Sequence, residues 1–190
     1  LGNGNGTFTR KGDYPIGNKS TGVVIGDFNR DGKLDCAITN DGLGNVAILN
    51  GNGDGSFTAP RYVFAGDSPQ PGVVADFNKD GIPDLAFPNY NSGNVVVLLG
   101  LSFGGFNGAL IFNSNTGAGL EAIAVGDLDG DGNLDLAMTN TTTNVVTTLR
   151  GDGRGQFTPG GGFATFSNYP ASIVIADFTS DGKADIAVGG

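Results

Sequence analysis

The chain has 190 residues, enough for one domain with a sizeable core, and its 35 Gly and 8 Pro demand frequent turns and short strands rather than long helices. A formal charge of -9 argues against nucleic acid or an anionic membrane as partner, and no apolar run is long enough to insert across a bilayer. The absence of histidine excludes Ser-His-Asp and Cys-His nucleophile systems and histidine zinc sites, and a lone cysteine, Cys36, excludes an internal disulfide.

In chain order, a first marker is Gly2 followed six residues later by Phe8, which opens a strand running to Tyr14. A short apolar strand at 23–25 leads into the acidic stretch 27–35, and a second strand at 34–39 follows at once, with Cys36 as a small buried thiol. After Asn40 comes a third strand at 46–49, then the turn Gly51-Asn52-Gly53-Asp54-Gly55, where glycine and asparagine supply the positive φ of a tight reversal. Phe57 opens a fourth strand that ends at Tyr62.

The same order then returns. First strands are expected at 73–75, 122–125 and 173–175, second strands at 85–87, 136–139 and 186–188, and third strands at 95–99 and 145–149. The acidic stretches start 49, 51 and 50 residues apart, at Asp27, Asp76, Asp127 and Asp177. The Gly/Phe marker keeps step as Gly51/Phe57, Gly100/Phe106 and Gly151/Phe157, and an Asn five residues after the last motif Asp recurs as Asn40, Asn89 and Asn140. Three markers in phase define repeat units of about fifty residues, approximately 1–48, 49–98, 99–148 and 149–190, in one domain that begins and ends in mid-repeat.

Four strands per unit without helical periodicity predict an all-β fold, a β-propeller of four-stranded antiparallel blades; a β-solenoid has shorter rungs. Read against this pattern, the split unit formed by the two termini has first, second and fourth strands but no third. That predicts an arc of a larger ring, the missing strand coming from the rest of the protein or from a partner chain. A closed four-bladed ring is the alternative. It requires the Phe8 strand to lie beside residues 186–188.

Each acidic stretch reads D-x-[N/D/T]-x-D-G-x-x-D. Side chains at positions 1, 3, 5 and 9 and the carbonyl at position 7 can converge on one hard cation, the Gly at position 6 allowing the sharp turn. The candidate sets are Asp27, Asn29, Asp31, Lys33 and Asp35; Asp76, Asn78, Asp80, Ile82 and Asp84; Asp127, Asp129, Asp131, Asn133 and Asp135; and Asp177, Thr179, Asp181, Lys183 and Asp185, where Lys33, Ile82, Asn133 and Lys183 contribute only carbonyls. An EF-hand is excluded because position 12, where its bidentate Glu belongs, is Ile38, Phe87, Met138 or Val188. Thirteen of the nineteen acidic residues occupy ligand positions, and four Ca²⁺ carrying +8 would nearly cancel the charge of -9. Up to four calcium ions are therefore expected. The Thr179 site is the poorest because a hydroxyl replaces an amide or carboxylate.

The stretch 27–35 and the turn 49–57 resemble the FG-GAP/VCBS repeats of integrin-alpha-type calcium-binding β-propellers, and the resemblance spans essentially the whole chain. It implies calcium in the turn between the first two strands of a blade. It also implies a secreted or cell-surface setting in an adhesion, lectin-like or enzyme-appended module. The third unit departs at Gly100-Leu101-Ser102-Phe103-Gly104-Gly105-Phe106, which puts that turn's geometry in question. The expected function is non-enzymatic: binding of a protein or carbohydrate ligand, with a structural spacer, or a non-catalytic propeller appended to a secreted enzyme, as alternatives. Tyr90 and Tyr169 lie in polar loops and read as ordinary rim aromatics rather than sugar platforms, and the marker phenylalanines as blade packing.

Overall fold

A computed structural model describes residues 1–190. The first blade is β1 (Ser20–Gly26), β2 (Asp35–Asn40), β3 (Asn45–Leu49) and β4 (Arg61–Phe64), hydrogen-bonded in that order. The second is β5 (Val73–Ala75), β6 (Asp84–Pro88), β7 (Asn94–Leu98) and β8 (Leu110–Asn113); the third is β9 (Leu120–Gly126), β10 (Asp135–Asn140), β11 (Val145–Gly151) and β12 (Phe157–Ala164). A fourth sheet holds β13 (Ser172–Ala176) and β14 (Asp185–Gly189). All pairs are antiparallel, and the only helix is a single 3₁₀ turn at Asp41–Leu43.

The core lies between blades. Between the first and second, Ala37, Val46 and Ile48 meet Leu85, Phe87, Val96 and Leu98. Between the second and third, Ala86, Val95 and Val97 meet Ile123, Leu136, Met138 and Leu149. Between the third and fourth, Ala124, Ala137 and Val146 meet Ile173. Each middle blade is therefore apolar on both faces, which is why the second and third strands read as continuous apolar runs rather than alternating ones. At the start of the arc, Val23 and Ile25 of β1 face outward and are more than half exposed.

Three expectations need correction. In the first two blades the fourth strand starts four residues beyond the marker Phe. Phe57 and Phe106 instead close the preceding turn through one antiparallel bridge to Gly51 and Gly100. Only in the third blade does the strand begin at the marker, Phe157. Residues 8–14 form no strand; Phe8 bridges Gly2 alone and is 83% exposed, so it is not blade packing. The cause is pairing: a fourth strand needs a third beside it, and none adjoins this segment. The same segment is absent from the flank of β14, whose one strand partner is β13. Cys36 is half-buried rather than buried, beside the cleft under Tyr14, and burial raises its thiol pKa.

The irregular turn of the third unit keeps the closing hydrogen bond of the others but not their backbone path, its left-handed residues being Gly104 and Gly105 where the regular turns have Gly53 and Gly55 or Gly153 and Gly155. Leu101 N–H donates to the Gly105 carbonyl at 3.0 Å, as Asn52 does to Ser56 and Asp152 to Gln156.

Candidate metal centre

Each acidic loop joins the first and second strands of its blade, β1–β2, β5–β6, β9–β10 and β13–β14, so all four lie at equivalent ends of their blades. The loops are organised by their own carboxylates. Asp27 accepts the amides of Asp31 at 3.0 Å and Gly32 at 2.9 Å, and Asp31 accepts that of Lys33 at 2.9 Å. Asp76 and Asp80 repeat this with Asp80, Gly81 and Ile82, and Asp177 and Asp181 with Asp181, Gly182 and Lys183. In the third loop Asp127 takes Gly130 and Gly132, and Asp131 takes Asn133. The Gly at position 6 has φ between 78° and 84° in all four loops, as a left-handed residue at the turn requires. Position 4 is also left-handed, at Arg30, Lys79, Gly130 and Ser180, which the motif alone did not reveal.

Position 3 differs between loops. Asn29 and Asn78 accept the amides of Asp31 and Asp80 at 3.0 Å, and Asp129 accepts that of Asp131 at 3.3 Å. Thr179 instead donates its hydroxyl to Asp177 at 3.4 Å, so in the fourth loop position 3 adds a donor where the others add an acceptor.

Position 9 has a second task. Asp35, Asp84 and Asp135 are buried, and each uses both carboxylate oxygens on backbone amides. One oxygen accepts from position 2 of its own loop, Phe28, Phe77 or Leu128, at 2.8–2.9 Å. The other accepts from the marker glycine sixteen residues on, Gly51, Gly100 or Gly151, at 2.7–2.9 Å. The aspartate thus ties the loop to the start of the glycine-rich turn. Asp185 accepts from Phe178 alone. Burial is the largest influence on Asp84, pushing it up to about 6, and it raises Asp135 as well; the amide of Gly182 lowers Asp177 and that of Asn133 lowers Asp131.

The third loop gathers the most charge: carboxylate oxygens of Asp127, Asp129 and Asp135 lie within 4.8 Å of one another, while Asp131 stands outside the group. Arg150 reaches Asp129 at 3.7 Å. In the other loops, where position 3 is Asn or Thr, no three carboxylates approach as closely. Three carboxylates this close form a hard-oxygen donor set that suits a cation such as calcium. Adjacent loops also touch. Lys79 Nζ donates to Asn133 Oδ1 at 2.7 Å, and Gly155 N–H to the Phe77 carbonyl at 3.2 Å.

The repeated Asn after the second strand is a buried latch. Asn140 donates to the carbonyls of Thr116, Gly117 and Ala118 at 3.1–3.3 Å and accepts the amides of Thr142 and Thr143 at 3.0 Å. Asn40 likewise reaches the Ile16 carbonyl, holding the segment that enters its blade. The repetition of this Asn was visible in the sequence; the partners of Asn40 and Asn140 22–24 residues earlier were not, and Asn89 makes no such bond, its amide reaching Phe87 and Asn94 while its Oδ1 is buried without a partner. Of the loop tyrosines, Tyr169 is 56% exposed and Tyr90 half-buried.

Side-by-side antiparallel blades with an acidic loop at the same end of each define an arc of a β-propeller. The FG-GAP-like repeat family matches three times in overlapping register, at residues 27–87, 76–138 and 127–188, and the chain belongs to that family. No curated protein sequence matches it. Among solved structures it is similar to an Agrocybe aegerita lectin described for specific recognition of non-reducing terminal N-acetylglucosamine, with a TM-score of 0.61 and 22% identity over 91% of this chain and 48% of that one. It is also similar to a chain from BBS1N in complex with ARL6DN, soaked with lead, with a TM-score of 0.56 and 12% identity over 89% and 45%. The chain spans about half the length of both.

Proposed function

We propose that the chain is a calcium-stabilised, non-catalytic binding module that works outside the cell and recognises a carbohydrate or protein ligand through its loops and blade surfaces. The convergence of Asp127, Asp129 and Asp135 carries the calcium part of the reading, because three carboxylates within 4.8 Å repel one another unless a cation joins them. Asp127 and Asp129, with Asp135 at their base, would hold the ion in the third loop, and the matching residues of the other loops would hold theirs less tightly. Extracellular calcium is abundant enough to fill sites of modest affinity. The lectin similarity supports carbohydrate as the ligand class. Absence of histidine and commitment of the loop carboxylates to backbone amides support a non-catalytic role.

Calcium titration by calorimetry, with elemental analysis of the dialysed protein, tests this reading. Bound calcium, a melting temperature that falls on chelation, and loss of one ion in Asp127→Ala are the expected results. No bound metal, together with an unchanged melt in chelator, would overturn it.

A further inference from the structure

The first and third blades are built to the same register but differ where their outer strands meet the preceding segment. Tyr62 in β4 pairs with Ala47, and its hydroxyl donates to the carbonyl of Pro15 at 3.1 Å. The corresponding positions of the third blade are Gly162, paired with Thr147 in β12, and Asn115. The second blade has Ile111 there. Gly162 has no ring to send toward Asn115, and a cleft of 340 Å³ lies in that place, walled by residues 114–116 on one side and by β11 and β12 on the other. A Cβ at Gly162 would stand 2.5 Å from the Val146 carbonyl, so glycine is required by the close backbone approach.

A second departure faces the same cleft. Asn45 and Asn94 begin the third strands of the first two blades and accept the amides of Asn40 and Asn89, at 2.9 and 3.1 Å. In the third blade this position is Val145, which lines the cleft, and the amide of Asn140, unlike that of Asn40, bonds only to the segment 116–118. That wall is pinned further. Ser114 donates to the Gly93 carbonyl at 2.6 Å, and Thr147 donates to the Ser114 carbonyl at 3.1 Å. The cleft is thus preformed rather than assembled by its ligand.

Its chemistry restricts what can occupy it. No charged residue lines it; Val145 gives an apolar wall and Ser114, Asn115, Thr116 and Thr147 stand among its polar neighbours, while the ring of Phe163, which pairs with Val146, belongs to the opposite face of the blade. In the first blade the matching space takes a six-membered ring whose far hydroxyl donates to a main-chain carbonyl. A volume of 340 Å³ is at the small end of ligand sites (~300–1,000 Å³). We propose that this cleft is a binding site for a neutral pyranose, the sugar ring standing where Tyr62 stands in the first blade, with a ring hydroxyl on the Asn115 carbonyl and an apolar face on Val145. The proposal rests on the carbohydrate-binding reading above and assigns it to one place in the fold.

The test uses the whole chain in calcium, a neutral-glycan array, and titration by saturation-transfer NMR with the methyl glycosides of glucose, galactose, mannose and N-acetylglucosamine. Val145→Phe places a ring in the cleft, and Phe163→Ala, on the opposite face of the blade, is the control. At least one neutral glycan or glycoside should bind, and Val145→Phe should weaken it at least tenfold with a melting temperature within a few degrees of the parent, while Phe163→Ala leaves binding unchanged. Undiminished binding in Val145→Phe, or an equal loss in Phe163→Ala, would overturn the assignment of the cleft and leave the carbohydrate reading standing. Failure of the parent chain to bind any of these probes at millimolar concentration would overturn both.

Discussion

Replacing Asp84 tests whether the last aspartate of the motif is a structural tie as well as a metal ligand. Its carboxylate is 0% exposed and accepts the buried amides of Phe77 at 2.8 Å and Gly100 at 2.7 Å. Asp84→Ala leaves both donors without a partner, at about 1–3 kcal/mol each, so the folded state should lose about 2–5 kcal/mol. Asp84→Asn retains one oxygen acceptor and should lose about 1–2 kcal/mol. Asp185, which accepts only the exposed Phe178 amide, is the internal control, and Asp185→Ala should cost less than about 1 kcal/mol. Urea unfolding in chelator removes any metal contribution, so the difference between the two alanine variants reads the hydrogen bonds alone. A loss below about 1 kcal/mol for Asp84→Ala under those conditions would refute the tie and leave the residue as a ligand only.

Phe157 is 6% exposed and packs edge-on against Phe77 and Phe112 at 5.5 and 5.4 Å. Phe157→Ala should cost about 3–5 kcal/mol by urea melt, against under about 0.5 kcal/mol for Phe8→Ala. Asn140→Ala removes the amide's bonds to the carbonyls of residues 116–118 in the segment entering the blade, and the acceptor of the Thr142 and Thr143 amides in the next turn. Its predicted cost of about 2–4 kcal/mol should appear with faster amide exchange at Gly119 and Thr143; unchanged exchange would contradict the latch. The folded-state pKa of Asp84, about 6, lies above the ordinary 3.8, so the folded protein holds that proton more tightly than the unfolded one. In chelator, stability should therefore be fully present near pH 4 and fall by about 1–3 kcal/mol as pH rises to 7, with Asp135 acting in the same direction. Asp54, lowered to about 2 by its bonds from Ser56, acts only below pH 4, in the opposite sense. Added calcium favours the ionised carboxylates and should abolish the fall; a flat metal-free profile would count against the burial of these groups.

Most of the blade pattern was legible in the sequence because it is local. Apolar runs of three to six residues between glycine-rich turns, repeated at about fifty residues, specify strands and their order, and each D-x-N-x-D-G loop forms its turn from carboxylate-to-amide bonds spanning two to five residues. What spans greater separations was not legible there. That Asp84 serves Gly100 as well as its own loop, that Asn140 holds residues 116–118, and that Phe8 packs on nothing all depend on which segments the blades bring side by side. The cleft beside Gly162 is the clearest case. In sequence, Thr158-Pro159-Gly160-Gly161-Gly162 reads as one more turn-rich stretch. Only pairing of Gly162 with Thr147, opposite the pinned segment 114–116, turns a missing side chain into an open cleft. Strand register is decided by contacts between distant segments, and a vacancy is a property of the walls around it rather than of the residue that leaves it.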